Sequence, residues 1–225
     1  MKFVILICGL LLSACGGGSS GGGPTTPTPE AQTPDAQVSV PAPVPETSLY
    51  EEKTITQTVN GSLVERTYRL RYPDNLTEEQ YPTLFFFHGA GGNGRDWLDN
   101  NPSLKDLIDT GEFIGVFPDG YENRWNVSGE TNADDVEFVS LILNSFDPSG
   151  IIDLTRIYGV GVSNGAGLVN KIAKETGIFQ AIAPLLSQQS EAIAQTVSPS
   201  ALSVFQVNGG QDELVPADGG NGVAD

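Results

Sequence analysis

The chain has one histidine, His88, in 225 residues, so a reaction that needs an imidazole from the second half of the sequence finds none there. It has two cysteines, Cys8 and Cys15, both near the amino terminus. Everything after residue 15 lacks a thiol and a disulfide, and its stability must come from packing alone. Basic charge is scarce: 11 Lys and Arg stand against 28 Asp and Glu, for a formal net charge of −17. That balance argues against nucleic acid and anionic surfaces as partners and reads most simply as solubility. The apolar run at residues 3–12 is too short to span a bilayer. No Gly-Lys pair exists for a phosphate loop, and a dinucleotide fingerprint started at Gly159 meets Asn164 where its third glycine should be. No internal repeat is visible.

What is there begins with a leader. Met1-Lys2 gives a positive start, residues 3–12 are apolar, and Leu12-Ser13-Ala14-Cys15 closes the segment with small residues. Residues 1–14 therefore read as a signal peptide. A cysteine directly after the small residues resembles the lipobox of bacterial lipoproteins, which makes Cys15 the expected lipidation site and its lipid the only expected membrane contact. Gly16 in place of an aspartate favours the outer membrane or cell surface over retention at the inner membrane. The alternative is an ordinary secreted protein whose cleavage site adjoins a cysteine. Residues 15–47 are rich in Gly and Ser, then in Pro and Thr, and form a spacer that cannot bury a core.

Residues 48–225 form one domain of alternating strands and helices. Residues 54–59 and 63–72, joined by Asn60-Gly61, read as a hairpin. Residues 81–87 and 113–117 are buried strands, with one poorly marked helix within 96–110 that Gly111 can end. Residues 134–146 place Val136, Val139, Leu143 and Phe146 at helical spacing. Residues 156–162 are a strand. Leu168, Val169, Ile172 and Ala173 are the stripe of the helix after it, with Gly177 as its stop. Residues 180–185 and 202–207 are further strands. This alternation predicts an α/β fold, a mostly parallel sheet covered on both faces.

Gly161-Val162-Ser163-Asn164-Gly165 fits the G-x-S-x-G nucleophile elbow. Alone the pentapeptide is weak, because so glycine-rich a chain meets it often by chance. Its setting, a strand before and a helical stripe after with small residues throughout, is the one an elbow requires. His88-Gly89-Ala90-Gly91-Gly92, directly after a strand, can turn backbone N–H groups toward the serine. The expected oxyanion donors are the N–H of Asn164 and that of Ala90 or Gly91. His88 itself reads as a side chain shaping that loop or lining a substrate pocket, with catalytic base as the competing reading. Asp212, after the last strand, fits the acid of a triad, with Glu213 as the fallback and a plain solvated turn as the bland alternative. Trp125 is a candidate pocket wall or a core residue. Asp134 and Asp135 read as caps of the helix they open or as support for the fold. Residues 218–225 have a faint calcium-loop look that fits no template, so no metal is expected.

Tyr68-Arg69-Leu70-Arg71-Tyr72-Pro73, His88 to Gly92, Phe117-Pro118-Asp119-Gly120, Arg124-Trp125-Asn126, Asp134-Asp135-Val136-Glu137-Phe138, Gly161 to Gly165 and Asp212 to Gly220 occur in one order. Together they resemble the polyhydroxybutyrate depolymerase and feruloyl or acetyl xylan esterase group of α/β hydrolases. The resemblance runs from about residue 67 to 220. It implies the α/β-hydrolase fold and Ser163 as nucleophile. It also implies Asp212 as acid, a histidine further on, and secreted hydrolysis of carboxylic esters without a cofactor.

Three departures stand out. Asn208 replaces a usual histidine, Ala217 replaces a frequent tyrosine, and the sequence ends before the family's catalytic-histidine segment and final strand and helix. An esterase whose histidine lies outside these residues is the leading expectation. An inactive, shortened hydrolase and a surface module that binds polysaccharide or polyester without turnover are the alternatives.

Overall fold

The computed structural model describes residues 50–76, 80–146 and 150–217. The expected signal peptide at 1–14, the spacer at 15–47, lipidation at Cys15 and the acidic tail at 218–225 lie outside them.

The hairpin forms as its turn predicts. Strands β1 (Glu51–Val59) and β2 (Ser62–Arg71) pair antiparallel, with Val59 opposite Ser62. Asn60 and Gly61 both take positive φ, 50° and 75°, as a two-residue turn that follows the strand twist requires. Five more strands follow: β3 (Tyr81–Phe87), β4 (Ile114–Pro118), β5 (Ile152–Val162), β6 (Ala181–Leu185) and β7 (Ser203–Val204). The sheet order is β1-β2-β4-β3-β5-β6-β7. β2 meets β4 antiparallel, and from β4 onward all pairings are parallel. The unbroken apolar runs of β3 and β4 are buried along nearly their whole length, as strands covered on both faces must be.

The helix expected within 96–110 is two: α1 (Arg95–Asn100) and α2 (Pro102–Asp109). Asn101 leaves helical geometry, with φ −132° and ψ 77°, because the ring of Pro102 disfavours it in the residue before. Pro102 then opens α2, where its missing N–H costs nothing. α3 (Asp135–Asn144) is capped by Asp134, whose carboxylate accepts from the Glu137 N–H at 2.9 Å. α4 (Asn164–Glu175) buries the expected stripe and stops before Gly177, which sits at φ 67°. A short α5 (Glu191–Gln195), capped by Ser190, escaped the sequence reading. β7 is shorter than expected, although Val207 still forms an isolated bridge to Leu185.

β4 and β5 lie on opposite sides of β3, so the winding direction reverses there. Phe87, Pro118, Val162 and Leu185 end the four central parallel strands at one edge of the sheet. Ligand sites of open parallel sheets form at the carboxyl edge, at such a reversal. The loop after β3 and the turn after β5 meet at this point, with Phe87 opposite Gly161.

Candidate active site

Ser163 occupies a single-residue turn between β5 and α4. Its φ of 53° and ψ of −120° place it in a region that L-residues avoid. Neighbours hold it there. Its N–H donates to Leu185 O at 2.9 Å, and its carbonyl accepts from the N–H groups of Ala166 and Gly167. The side chain is exposed at the carboxyl edge. The flanking glycines are steric requirements. A Cβ on Gly161 would sit 2.3 Å from Gly165 O, and one on Gly165 would sit 2.4 Å from Phe87 O. Both lie far inside contact distance, so the helix can start this close to β3 only without side chains there.

The loop after β3 lies against the serine, since a Cβ on Gly89 would be 3.6 Å from the Ser163 Cβ. Gly91, at φ 82°, donates its N–H to Asn123 O at 2.8 Å. Its amide is therefore engaged, and of the two donors expected in this loop Ala90 is the one whose N–H has no acceptor among the described residues. The Asn164 N–H opens α4, where first-turn amides lack an acceptor within the helix.

His88 and Trp125 do not form pocket walls. His88 is 2% exposed and Trp125 is fully buried. The Gly120 N–H donates to His88 Nε2 at 2.9 Å, so Nε2 is an acceptor and the ring proton sits on Nδ1, 2.7 Å from Gly89 O. Burial pushes the imidazole pKa down, against the opposing pull of Gly89 O, Asp119, Asp96 and Asp135. A neutral ring with both nitrogens engaged shapes the loop and has no lone pair to offer Ser163. Trp125 packs edge-on to Phe87 and against the His88 ring, and its Nε1–H donates to His88 O at 2.8 Å.

The Asn164 side chain has a role that the motif concealed. Its Oδ1 accepts from the Trp125 N–H at 2.7 Å and its Nδ2 donates to Trp125 O at 3.0 Å. Asp134 and Asp135 divide the two tasks expected of them, capping and fold support. Asp134 alone caps α3, whereas Asp135 is buried and pairs with buried Arg66 at 2.7 Å. Its other oxygen accepts from the Asn126 N–H at 2.6 Å, which ties the segment after Trp125 to the sheet. Burial raises the Asp135 pKa, against the lowering effect of Arg66 and of the Asn126 amide. Arg66 also reaches Gln57 and stacks over the Phe138 ring. Asp119, adjacent to Gly120, takes Gly94 N–H and Arg69 on one oxygen. Arg69, Asp119 and Phe138 stood in the quoted motifs with no role assigned, and Arg66 and Gln57 stood in none of them.

Asp212 lies beyond β7 on the same side as Ser163. Ser163 N–H bonds Leu185 O, and the next amide along, Leu186 N–H, bonds Val207 O, five residues before Asp212. Asp212 Oδ1 accepts from the N–H groups of Leu214 and Val215, both at 2.9 Å, and Glu213 beside it is exposed. Asn208 Oδ1 is buried with no partner among the described residues. A cavity of about 230 Å³ lined by Tyr68, Leu70, Tyr72 and Ile152 lies at the opposite end of β5 from Ser163. Among the described residues, no group of three His, Cys, Asp or Glu side chains is placed to hold a metal.

No family model matches the chain. Feruloyl esterase B of Piromyces equi is 26% identical over 161 residues, covering 67% of this chain and 30% of its own length. A putative esterase, NocK, of Nocardia uniformis subsp. tsuyamanensis is 23% identical over 216 residues, covering 92% of this chain and 62% of its own. The chain thus spans less than two thirds of these curated relatives. The crystal structure of a thermostable esterase aligns with a TM-score of 0.56 at 20% identity, over 74% of this chain and 48% of that one. The chain has the α/β-hydrolase fold, and its sequence relatives are the feruloyl esterases and esterases that its motifs resemble.

Proposed function

We propose that the protein is a serine hydrolase of carboxylic esters, with Ser163 as its nucleophile. The observation that carries the reading is the exposed Ser163 held at φ 53° between a parallel strand and a helix. A strained single-residue turn maintained by neighbouring hydrogen bonds is how a fold presents a hydroxyl at its surface. Ser163 Oγ attacks the ester carbonyl carbon and gives its proton to an imidazole. The carbonyl electrons move to oxygen, where the N–H groups of Asn164 and Ala90 hold the charge, a contribution of roughly 3–4 kcal/mol for each donor. Collapse breaks the bond to the alcohol, which takes the proton from the imidazole. Water then releases the acid by the reverse sequence.

His88 is engaged elsewhere, so this reading draws the imidazole from outside the 225 residues and gives Asp212 the task of orienting it. The names of the relatives favour feruloyl esters as the substrate class, with acetyl esters and hydroxyalkanoate polyesters in the same chemical range. The leader and Cys15 favour an extracytoplasmic, lipid-anchored protein.

The test is hydrolysis of methyl ferulate and p-nitrophenyl acetate by the complete gene product, with Ser163→Ala alongside. Turnover lost in the variant supports the reading. An unchanged rate in Ser163→Ala rejects it, and binding to insoluble xylan without turnover would favour a binding module.

A further inference from the structure

We propose that Trp125 is the spacer that sets the distance between the two oxyanion donors, and that the Asn164 side chain is the clamp that holds it. This inference rests on the reading of Ser163 given above. Three backbone segments converge on the site: residues 88–91, residues 123–125 and the start of α4. Each is tied to the others. Asn164 joins α4 to Trp125 through paired bonds of 2.7 and 3.0 Å, imitating a peptide group. Trp125 joins the loop after β3 through its indole N–H, 2.8 Å from His88 O. Asn123 joins the same loop by accepting the Gly91 N–H at 2.8 Å. The third side needs no bond, because Gly165 lies so close to Phe87 O and His88 O that even a methyl group would not fit.

The two donors are the backbone amides of Asn164 and Ala90. The first belongs to the residue whose side chain grips Trp125. The second lies two residues beyond the carbonyl that the indole holds. Trp125 is fully buried with its ring against Phe87 and His88, so it has no freedom to tilt. Donors aimed in advance at a developing charge stabilise it without reorganising, and small misplacements are expensive. The clamp also accounts for the residue type at 164. A carboxylate there would oppose Trp125 O, and an aliphatic group would leave the Trp125 N–H unpaired and Trp125 O with the Val127 N–H alone. Trp125 and Asn164 act here as positioning residues, distinct from the amides that meet the oxygen.

The experiment compares wild type, Trp125→Phe, Asn164→Asp and Asn164→Leu in the complete gene product. It measures kcat, KM, the affinity for an arylboronic acid that forms a tetrahedral adduct on Ser163, and Tm. Trp125→Phe keeps an aromatic ring and removes the donor to His88 O together with part of the indole's buried volume, whose cost the Tm reads. We expect kcat to fall about tenfold or more in Trp125→Phe and about a hundredfold in the Asn164 variants, on the scale of a misplaced oxyanion donor. Boronate affinity should fall by the same factor while KM stays within about twofold, because only the tetrahedral species uses both donors. A purely structural role would lower Tm and leave kcat and boronate affinity of the folded protein within about twofold, and that outcome overturns the proposal. Should the Asn164 variants fail to fold, Trp125→Phe decides alone. An unchanged rate in Ser163→Ala is a separate result that removes the function reading and this inference together.

Discussion

Gly120 donates its N–H to Nε2 of His88 at 2.9 Å. An amide can only donate, so this bond fixes the imidazole as neutral with its proton on Nδ1. Protonation would set N–H against N–H in a buried site. The folded-state pKa is lowered, so the unfolded chain takes up the proton first as pH falls. The stability that depends on a neutral ring is full above the ordinary histidine value of 6.5 and is lost as pH drops below it toward the folded value. We predict that the difference in unfolding free energy between wild type and His88→Gln shrinks between about pH 7.5 and about pH 5.5, by at most about 1.4 kcal/mol per pH unit. Taking the difference between the two proteins cancels the groups that titrate alike in both. Denaturant titrations at the two pH values measure it, and a constant difference would show that His88 titrates alike in both states.

Strain at Ser163 gives an opposite-signed expectation. Its φ of 53° and ψ of −120° cost about 1–3 kcal/mol for a residue with a Cβ and little for glycine. Ser163→Gly should therefore be more stable than Ser163→Ala by about 1 kcal/mol or more, despite the added freedom of glycine in the unfolded chain. Thermal unfolding of the two variants decides it, and an equal or lower Tm for Ser163→Gly contradicts the strain.

Gly165→Ala tests the close approach of α4 to β3. The new Cβ would meet two backbone carbonyl oxygens, at 2.4 and 2.5 Å, and neither can rotate away. A loss of about 1–3 kcal/mol or more is expected, set against the small gain a helical alanine usually brings. A neutral or stabilising Gly165→Ala would mean that the helix start can shift.

Arg66 and Asp135 form a buried pair, so removing one partner strands the other. Arg66→Met should cost about 3–5 kcal/mol near neutral pH. Burial already raises the Asp135 pKa, and without Arg66 it should rise further. The folded variant then holds a proton that the unfolded chain has released, so the cost should be largest at high pH and shrink as pH falls through that raised value. Urea denaturation of Arg66→Met across the acid range reads this slope, and a pH-independent cost would contradict it.

Much of the fold could be read from local pattern. Asn60-Gly61 between alternating strands, the apolar runs of β3 and β4, and the stripe of α4 each carry their own period or turn chemistry. The break at Asn101 was also written in the sequence, in Pro102, but a weak helical pattern on both sides hid it. β7 fell short because Pro184 in β6 has no N–H to return to this segment, although the Phe205 and Val207 amides still donate to Ile182 O and Pro184 O. At the site, the elbow residues were legible because the turn restricts them to serine among small neighbours. Trp125, His88 and Asp135 were legible only with alternatives attached: core or pocket wall, loop shaper or base, fold support or cap. A buried aromatic and a pocket aromatic have the same letters, and one acid of a pair caps a helix while the next turns inward to an arginine some seventy residues away. Those assignments depend on long-range hydrogen bonds, which sequence spacing does not encode. The Asn164 clamp hid behind a motif that leaves its fourth position open.

The most direct test of the account is covalent labelling. The complete gene product, treated with an alkyl fluorophosphonate, should gain one phosphonyl group, and peptide mapping should place it on Ser163. His88→Gln should still label at Ser163 when folded, more slowly to the extent that the loop it shapes shifts, since His88 does not take the serine proton. Absence of label on Ser163 in folded protein, or label at Ser163 abolished in folded His88→Gln, would contradict the account.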